Sequence, residues 1–256
     1  MPNFGVEKGI NRMTTNKHIA LWTCPRSRST LMTRAFEQLD GCLIFDEPFY
    51  APYLLKHGFN HPHRQEIIES TESNYEKVIQ QITGSLPNSA SFSFQKHIAK
   101  HALPEFSRDW LKSLHNVFLI RDPKEIVLSW YKVLGNVTFH DIGIADLYTI
   151  FQDVKALTGN SPLVIDSTEF VRNPKDILKR LCANLEVTFS EKMLSWEPEL
   201  KDSNLSLSSF APSWYSTVRN SSGFLPYEEK AINIPDDLIP IVEDCLPFYE
   251  KLYQEV

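Results

Sequence analysis

Four cysteines in 256 residues, Cys24, Cys42, Cys182 and Cys245, are too few and too scattered for a disulfide framework, and no CxxC or Cys/His cluster marks a structural zinc site. A reducing, cytoplasmic setting fits that usage. Basic charge is scarce as well: 26 Lys and Arg stand against 32 Asp and Glu, for a net charge of −6. That balance argues against a nucleic-acid binder that relies on a basic face. No apolar run approaches the ~18 residues of a membrane span, and the opening MPNFGVEKGINRMTTNKH has no apolar export segment. None of the nine glycines falls in a GxxxxGK(S/T) run, which speaks against a nucleoside-triphosphate loop of that type. Met13 offers a second plausible start, so residues 1–16 read as a flexible N-terminal extension and 17–256 as a single domain.

What is present is an alternation of strands and helices. Residues 18–23, 41–45, 92–96, 116–120 and 163–165 are short apolar runs, as expected of buried parallel strands. Helical spacing follows the first run in Leu31, Met32, Ala35, Phe36 and Leu39, and returns in Ile126, Val127, Trp130, Val133 and Leu134. It appears again across 145–157 and through Ile177, Leu178 and Leu181. Ser73 and Glu76 have capping-box spacing ahead of Val78, Ile79 and Ile82, with Gly84 as the stop. This order predicts an α/β fold with a mostly parallel sheet flanked by helices on both faces. Ligands of such sheets sit beyond the C-terminal strand ends, where Arg26, Glu47, Lys96 and Arg121 fall.

Two strand–helix junctions carry the chemistry. In LWTCPRSRSTLMTR, residues 21–34, Pro25 drives Cys24 out of the helical region, and Arg26, Ser27, Arg28, Ser29 and Thr30 surround the start of a helix. Free N–H groups and the positive dipole end favour an anion there. In FLIRDPKEIVLSW, Arg121 leaves the fourth strand and Ser129 follows eight residues later, about two helical turns on. Two such junctions at neighbouring strand ends suit a ligand with two separate phosphate groups.

Together these segments resemble the two signatures of sulfotransferases that use 3′-phosphoadenosine-5′-phosphosulfate (PAPS) and release 3′-phosphoadenosine-5′-phosphate (PAP). The resemblance implies a P-loop-like α/β fold. It places Arg26, Ser27, Ser29 and Thr30 at the 5′-phosphosulfate, and Arg121 and Ser129 at the 3′-phosphate. FDEPFY, residues 45–50, is similar to the Glu-Pro segment of carbohydrate-type and many bacterial members. FQKHIAK, residues 94–100, resembles the strand that ends in a basic or histidine residue, and APSWYSTVRNSSGF, residues 211–224, resembles a C-terminal segment that brings in Arg219 as a further nucleotide contact. Many members carry Gly where this chain has Arg28. The loop is therefore expected to avoid a glycine-only conformation, with Arg28 supplying charge to the cofactor or lying outside.

The proton acceptor is either Glu47 or His97. Glu47 follows a buried strand beside Phe45, Pro48 and Phe49, surroundings that raise a carboxyl pKa. His97 sits one residue short of the family's usual position, and on a strand one residue reverses the face. His97 and His101 have i, i+4 spacing, but nothing completes a metal set, and no metal is assigned. The whole chain is similar to bacterial sulfotransferases that tailor natural products, including cyanobacterial enzymes acting on guanidinium alkaloids of the saxitoxin type. The acceptor is accordingly a small molecule carrying a hydroxyl or nitrogen nucleophile. Asp46, Glu47, Asp141 and Asp146 would favour a cationic one. The rival readings are a P-loop-like kinase and a non-catalytic nucleotide-binding protein.

Overall fold

Strands without polar alternation must be covered on both faces, and five such segments pair side by side in the computed structural model, which describes residues 16–58, 63–198, 216–229 and 231–256. The strands are β1 (Lys17–Thr23), β2 (Cys42–Asp46), β3 (Phe92–Ile98), β4 (His115–Ile120) and β5 (Leu163–Asp166). Their order is β2-β3-β1-β4-β5, and every pairing is parallel. The helices are α1 (Ser29–Glu37), α2 (Tyr50–His57), α3 (Arg64–Ser70), α4 (Tyr75–Thr83), α5 (Pro123–Leu134), α6 (Phe139–Ile142), α7 (Ile144–Thr158), α8 (Ser167–Arg172), α9 (Pro174–Asn184), α10 (Ser216–Arg219) and α11 (Ile239–Tyr253). The expected extension falls almost wholly on residues 1–15, outside the described residues.

The period of two along β1 divides the core. Ala20 and Trp22 join Phe118, Ile120 and Val164 beneath α4, α5, α7 and α11, while Ile19 and Leu21 join Phe94 and Leu119 beneath α1 and α9. On the second face Phe36 of α1 stacks on Phe94 with ring centroids 4.1 Å apart. Each fully buried side chain of this size stabilises the fold by about 1.5–3 kcal/mol. Trp22 is fully buried and still satisfied, because its Nε1–H donates to Asn116 Oδ1 at 2.9 Å.

Local chemistry sets the helix ends. Asp122 caps α5 by accepting from Lys124 N at 2.8 Å, Pro123 occupies the first turn, and Gly135 ends the helix at φ 77°. For α4 the cap is Asn74, which accepts from Lys77 N at 3.0 Å, and not Ser73 as the spacing suggests. Gly143 both closes α6 and opens α7 at φ 67°. A Cβ there would stand 3.1 Å from Lys100 Cβ, so glycine meets both a backbone and a packing demand.

The topology decides where a ligand can enter. From β1 the chain runs out to edge strand β2, returns to β3 beside β1, and then crosses to β4 on the other side of β1. Strand order therefore reverses at the β1–β4 boundary, and the two basic loops leave the sheet at the adjoining C-terminal ends.

Candidate active site

Thr23, the last residue of β1, ties the first loop to β4 through its Oγ1–H, which donates to Leu119 O at 2.9 Å. Arg26 and Arg28 in that loop adopt left-handed backbones at φ 63° and 65°. The expectation that Arg28 avoids a glycine-like conformation is thus corrected. The αL well admits an L-residue at a cost of roughly 1–2 kcal/mol, and the loop bears that cost here. Arg28 also occupies the N-cap of α1, where it makes no side-chain cap. Ser27 Oγ is buried and has no protein partner among the described residues, Ser29 is buried at the first helical position, and Thr30 is half-buried.

The second junction closes on the first. Arg26 Nε donates to Ser129 Oγ at 3.2 Å, and Arg121 Nη1 donates to the carbonyl of Arg26, linking segments about a hundred residues apart. Arg121 also forks onto Glu125 Oε2 from Nε (2.8 Å) and Nη2. The same oxygen accepts from Arg28 Nη2 at 2.6 Å, and Arg28 Nη1 donates to Thr168 Oγ1 at 3.2 Å. Burial, helped by the neighbouring Arg28 charge, lowers the Arg121 pKa from its usual value without threatening its protonation. Arg28 and Arg121 share one carboxylate, so the pair keeps a net positive charge. That surplus, with the orphaned Ser27 hydroxyl at a helix start, fits a phosphorylated nucleotide.

A third group lies at the ends of β2 and β3. Lys96 Nζ stands 2.6 Å from Asp46 Oδ1 and 3.0 Å from Glu47 Oε1, and the three side chains are nearly or wholly buried. Glu47 turns back over β3 at φ 51°, its N–H donating to Lys96 O at 2.8 Å. Of the four described non-glycine residues with positive φ, three are Arg26, Arg28 and Glu47, so backbone strain gathers where these junctions meet the sheet. One ammonium serves two carboxylates. Burial accordingly raises the Glu47 pKa above the ordinary carboxylate value although Lys96 opposes the rise. Burial also opposes the charge on Lys96, but Asp46 and Glu47 outweigh it and hold the ammonium protonated.

His101 Nδ1 lies 3.8 Å from Glu47 Oε2, its ring stacked on Tyr50 at 4.8 Å and tilted against Tyr53 at 4.7 Å. Burial, with Lys100 and Lys96 nearby, holds its pKa well below 6.5. Lys100 Nζ sits 4.9 Å over the Trp130 ring and donates to Asp141 O at 3.0 Å, and burial lowers its pKa. Asp141 is engaged in the capping box of α6, and burial raises the pKa of Asp146 in α7.

His97 points to the face of β3 opposite Lys96. It is 1 % exposed, stacks on Trp22 at 4.4 Å and donates from Nε2 to Gln95 Oε1 at 3.1 Å. Burial pushes its pKa down from 6.5 to about 3. The unfolded chain takes up a proton below pH 6.5 that the folded chain refuses, so this contribution to stability is whole above pH 6.5 and is lost as pH falls toward 3. The expected loss from His97 alone is about 2 kcal/mol at pH 5. Denaturant titrations at pH 7.5 and pH 5 check it, and His97→Phe, which cannot titrate, should reduce the pH dependence. Arg219, half-buried, ends α10, while residues 211–215 of its motif lie outside the described residues.

Motif reading passes over Thr168, takes Glu125 only as a surface ion-pair partner of Arg121, and weighs His101 only as a metal ligand. The i, i+4 spacing of Arg121 and Glu125 signals their ion pair, but a helix surface is where such a pair is ordinarily expected. Here both side chains are 13 % exposed. Among the described residues no three His, Cys, Asp or Glu side chains group to hold a metal ion, and no helix is long and apolar enough to cross a membrane.

A family model described as a sulfotransferase domain matches residues 17–255. Two Arabidopsis thaliana proteins named branched-chain-amino-acid aminotransferase-like protein 2 and protein 1 are each 33% identical to this chain, over 91% and 92% of its length. The chain spans 41% of either relative. Among solved structures, the sulfotransferase domain from the curacin biosynthetic pathway shares the fold with a TM-score of 0.55 at 14% identity, across 91% of this chain and 96% of that one.

Proposed function

Because the chain belongs to the sulfotransferase domain family, we propose that it transfers the sulfuryl group of PAPS to a hydroxyl or nitrogen of a small-molecule acceptor and releases PAP. PAPS supplies an activated sulfur whose bond to the bridging oxygen breaks as the acceptor attacks. The observation that carries the reading is the joining of two basic strand–helix junctions, Arg26 to Ser129 and Arg121 to the Arg26 carbonyl, at adjacent strand ends.

Arg26, Ser27, Ser29 and Thr30 hold the 5′-phosphosulfate, with Arg28 adding charge beside them. Arg121 and Ser129 hold the 3′-phosphate, and Arg219 is a further nucleotide contact. A planar guanidinium at Arg26 can meet oxygens of the leaving phosphate and of the sulfuryl group together, balancing charge that grows on the bridging oxygen. Glu47 takes the acceptor proton. Its raised pKa keeps it basic enough for that task, and Lys96 and the strained backbone fix its position. His97 stays outside the mechanism, since it is buried against Trp22 and Phe49 in apolar surroundings that hold it neutral. Residues 17–256 act as one catalytic domain, and the four free cysteines suit a cytoplasmic location.

A cationic acceptor, such as a guanidinium alkaloid of the saxitoxin type, is the finer reading. It draws support from Glu47, Asp141 and Asp146, which lie close enough to act electrostatically on Lys100 at one side of the cluster. Asp46 and Glu47 each add less than their charges suggest, because Lys96 pairs with both. The test presents neutral phenols, sugars and guanidinium compounds together with PAPS and follows products by mass. Sulfated guanidinium product, suppressed by salt, is expected. Preference for a neutral phenol or sugar removes the cationic acceptor, and phosphorylation from ATP with Mg²⁺ would instead favour the kinase reading.

A further inference from the structure

Glu125 does something unusual for a carboxylate in an anion site. A single oxygen, Oε2, collects Arg28 Nη2 at 2.6 Å and both Nε and Nη2 of Arg121, the arginine whose two donors form a fork suited to a phosphate. The other oxygen, Oε1, lies 3.5 Å from Thr168 Oγ1. The cluster is only partly sheltered, with Arg28 20 % exposed and Glu125 13 % exposed, so an incoming anion can reach it. The donors that a 3′-phosphate needs are therefore already engaged.

We propose that Glu125 is an internal stand-in for the nucleotide's 3′-phosphate: it holds Arg121 and Arg28 in the ligand-free protein and gives up Arg121 when the phosphate arrives. This rests on the reading of Arg121 as the 3′-phosphate ligand. A dianionic phosphate outcompetes one carboxylate for the guanidinium fork, whereas a nucleotide without that group has nothing to exchange. Arg28 and Thr168 give the displaced carboxylate a partner on its own side, at 2.6 Å from Oε2 and 3.5 Å from Oε1. Glu125 thus has two effects. It pre-orders two long side chains, which lowers the entropy lost on binding, and it lowers the apparent affinity in proportion to the fraction of free protein in which the fork is occupied. The second effect favours release of PAP after each turnover, because the carboxylate can recapture Arg121.

Calorimetry with PAP and with 5′-AMP on wild type and Glu125→Gln tests this. The expected result is PAP affinity tightened by roughly threefold to thirtyfold with 5′-AMP nearly unchanged, together with slower PAP dissociation in stopped flow. Weaker PAP binding in Glu125→Gln would make Glu125 a positioning group alone and overturn the exchange. Equal tightening of both nucleotides would reduce it to a general field effect and overturn it too. If Glu125→Gln does not fold, Glu125→Asp, which keeps the charge but cannot span both arginines, should show the same PAP-selective tightening at smaller size. Its absence would count against the proposal. A wild-type protein that binds PAP no better than 5′-AMP would instead fail the underlying assignment of Arg121, which separates the two failures.

Discussion

Glu47→Gln lowers turnover by roughly a hundredfold to ten-thousandfold while nucleotide affinity stays near that of wild type. The amide keeps the size of the carboxyl and loses its capacity to take a proton. The change should spare the nucleotide, because Glu47 leaves β2 beside Lys96 and His101, whereas the proposed nucleotide contacts lie on the loops after β1 and β4. The pH profile separates this role from a structural one. In the proposed role only ionised Glu47 takes the proton, and burial raises its pKa, so kcat/KM should climb with pH along an acid limb displaced above the ordinary carboxylate range. That limb should vanish in Glu47→Gln. Loss of the Lys96 contact also removes one of the two carboxylates holding that ammonium, so thermal unfolding must be followed alongside activity. A fully active Glu47→Gln with a dead His97→Ala would move the proton acceptor to His97.

Arg121→Ala costs binding of PAP on the order of 2 to 5 kcal/mol, or about 30-fold to 5,000-fold in Kd, and costs 5′-AMP far less. The selectivity follows from position. Arg121 is mostly buried, its guanidinium is spread between the Arg26 carbonyl and Glu125, and a surface arginine in the same role would be worth under about 1 kcal/mol. Ser129→Ala should follow the same pattern at smaller size, near the 1.5–3 kcal/mol of a hydrogen bond to a charged group. Equal, small losses for both nucleotides would remove Arg121 and Ser129 from the 3′-phosphate.

The sheet was legible because its strands are buried on both faces. All five apolar runs coincide with β1 to β5 within two residues at either end, and the two junction motifs emerge from neighbouring strands as parallel pairing requires. The short helices α6, α8 and α10 were not anticipated, nor were α2, α3 and α11. Pro52 sits inside the first turn of α2, Pro247 lies within α11, and α3 buries one residue, Ile67, so periodicity carries little signal in any of them. At the site, residue type was readable and partnership was not. Nothing in the spacing of FDEP and FQKH says that Lys96 bridges Asp46 and Glu47, since that depends on the register placing Asp46 opposite Lys96. Nor could the sequence place Thr168 of α8 beside Arg28, 140 residues away. His101 was set aside because no further ligand completes a metal set with His97, and its burial between two tyrosine rings beside Glu47 depends on tertiary packing.

The most direct measurement is calorimetry of wild-type protein with PAP, 5′-AMP and ATP, each with and without Mg²⁺. The predicted result is PAP bound at least about 30-fold more tightly than 5′-AMP, as a desolvated guanidinium–phosphate pair requires, with no dependence on Mg²⁺. Equal binding of PAP and 5′-AMP, or a Mg²⁺-dependent preference for ATP, would contradict the assignment of these junctions to PAPS.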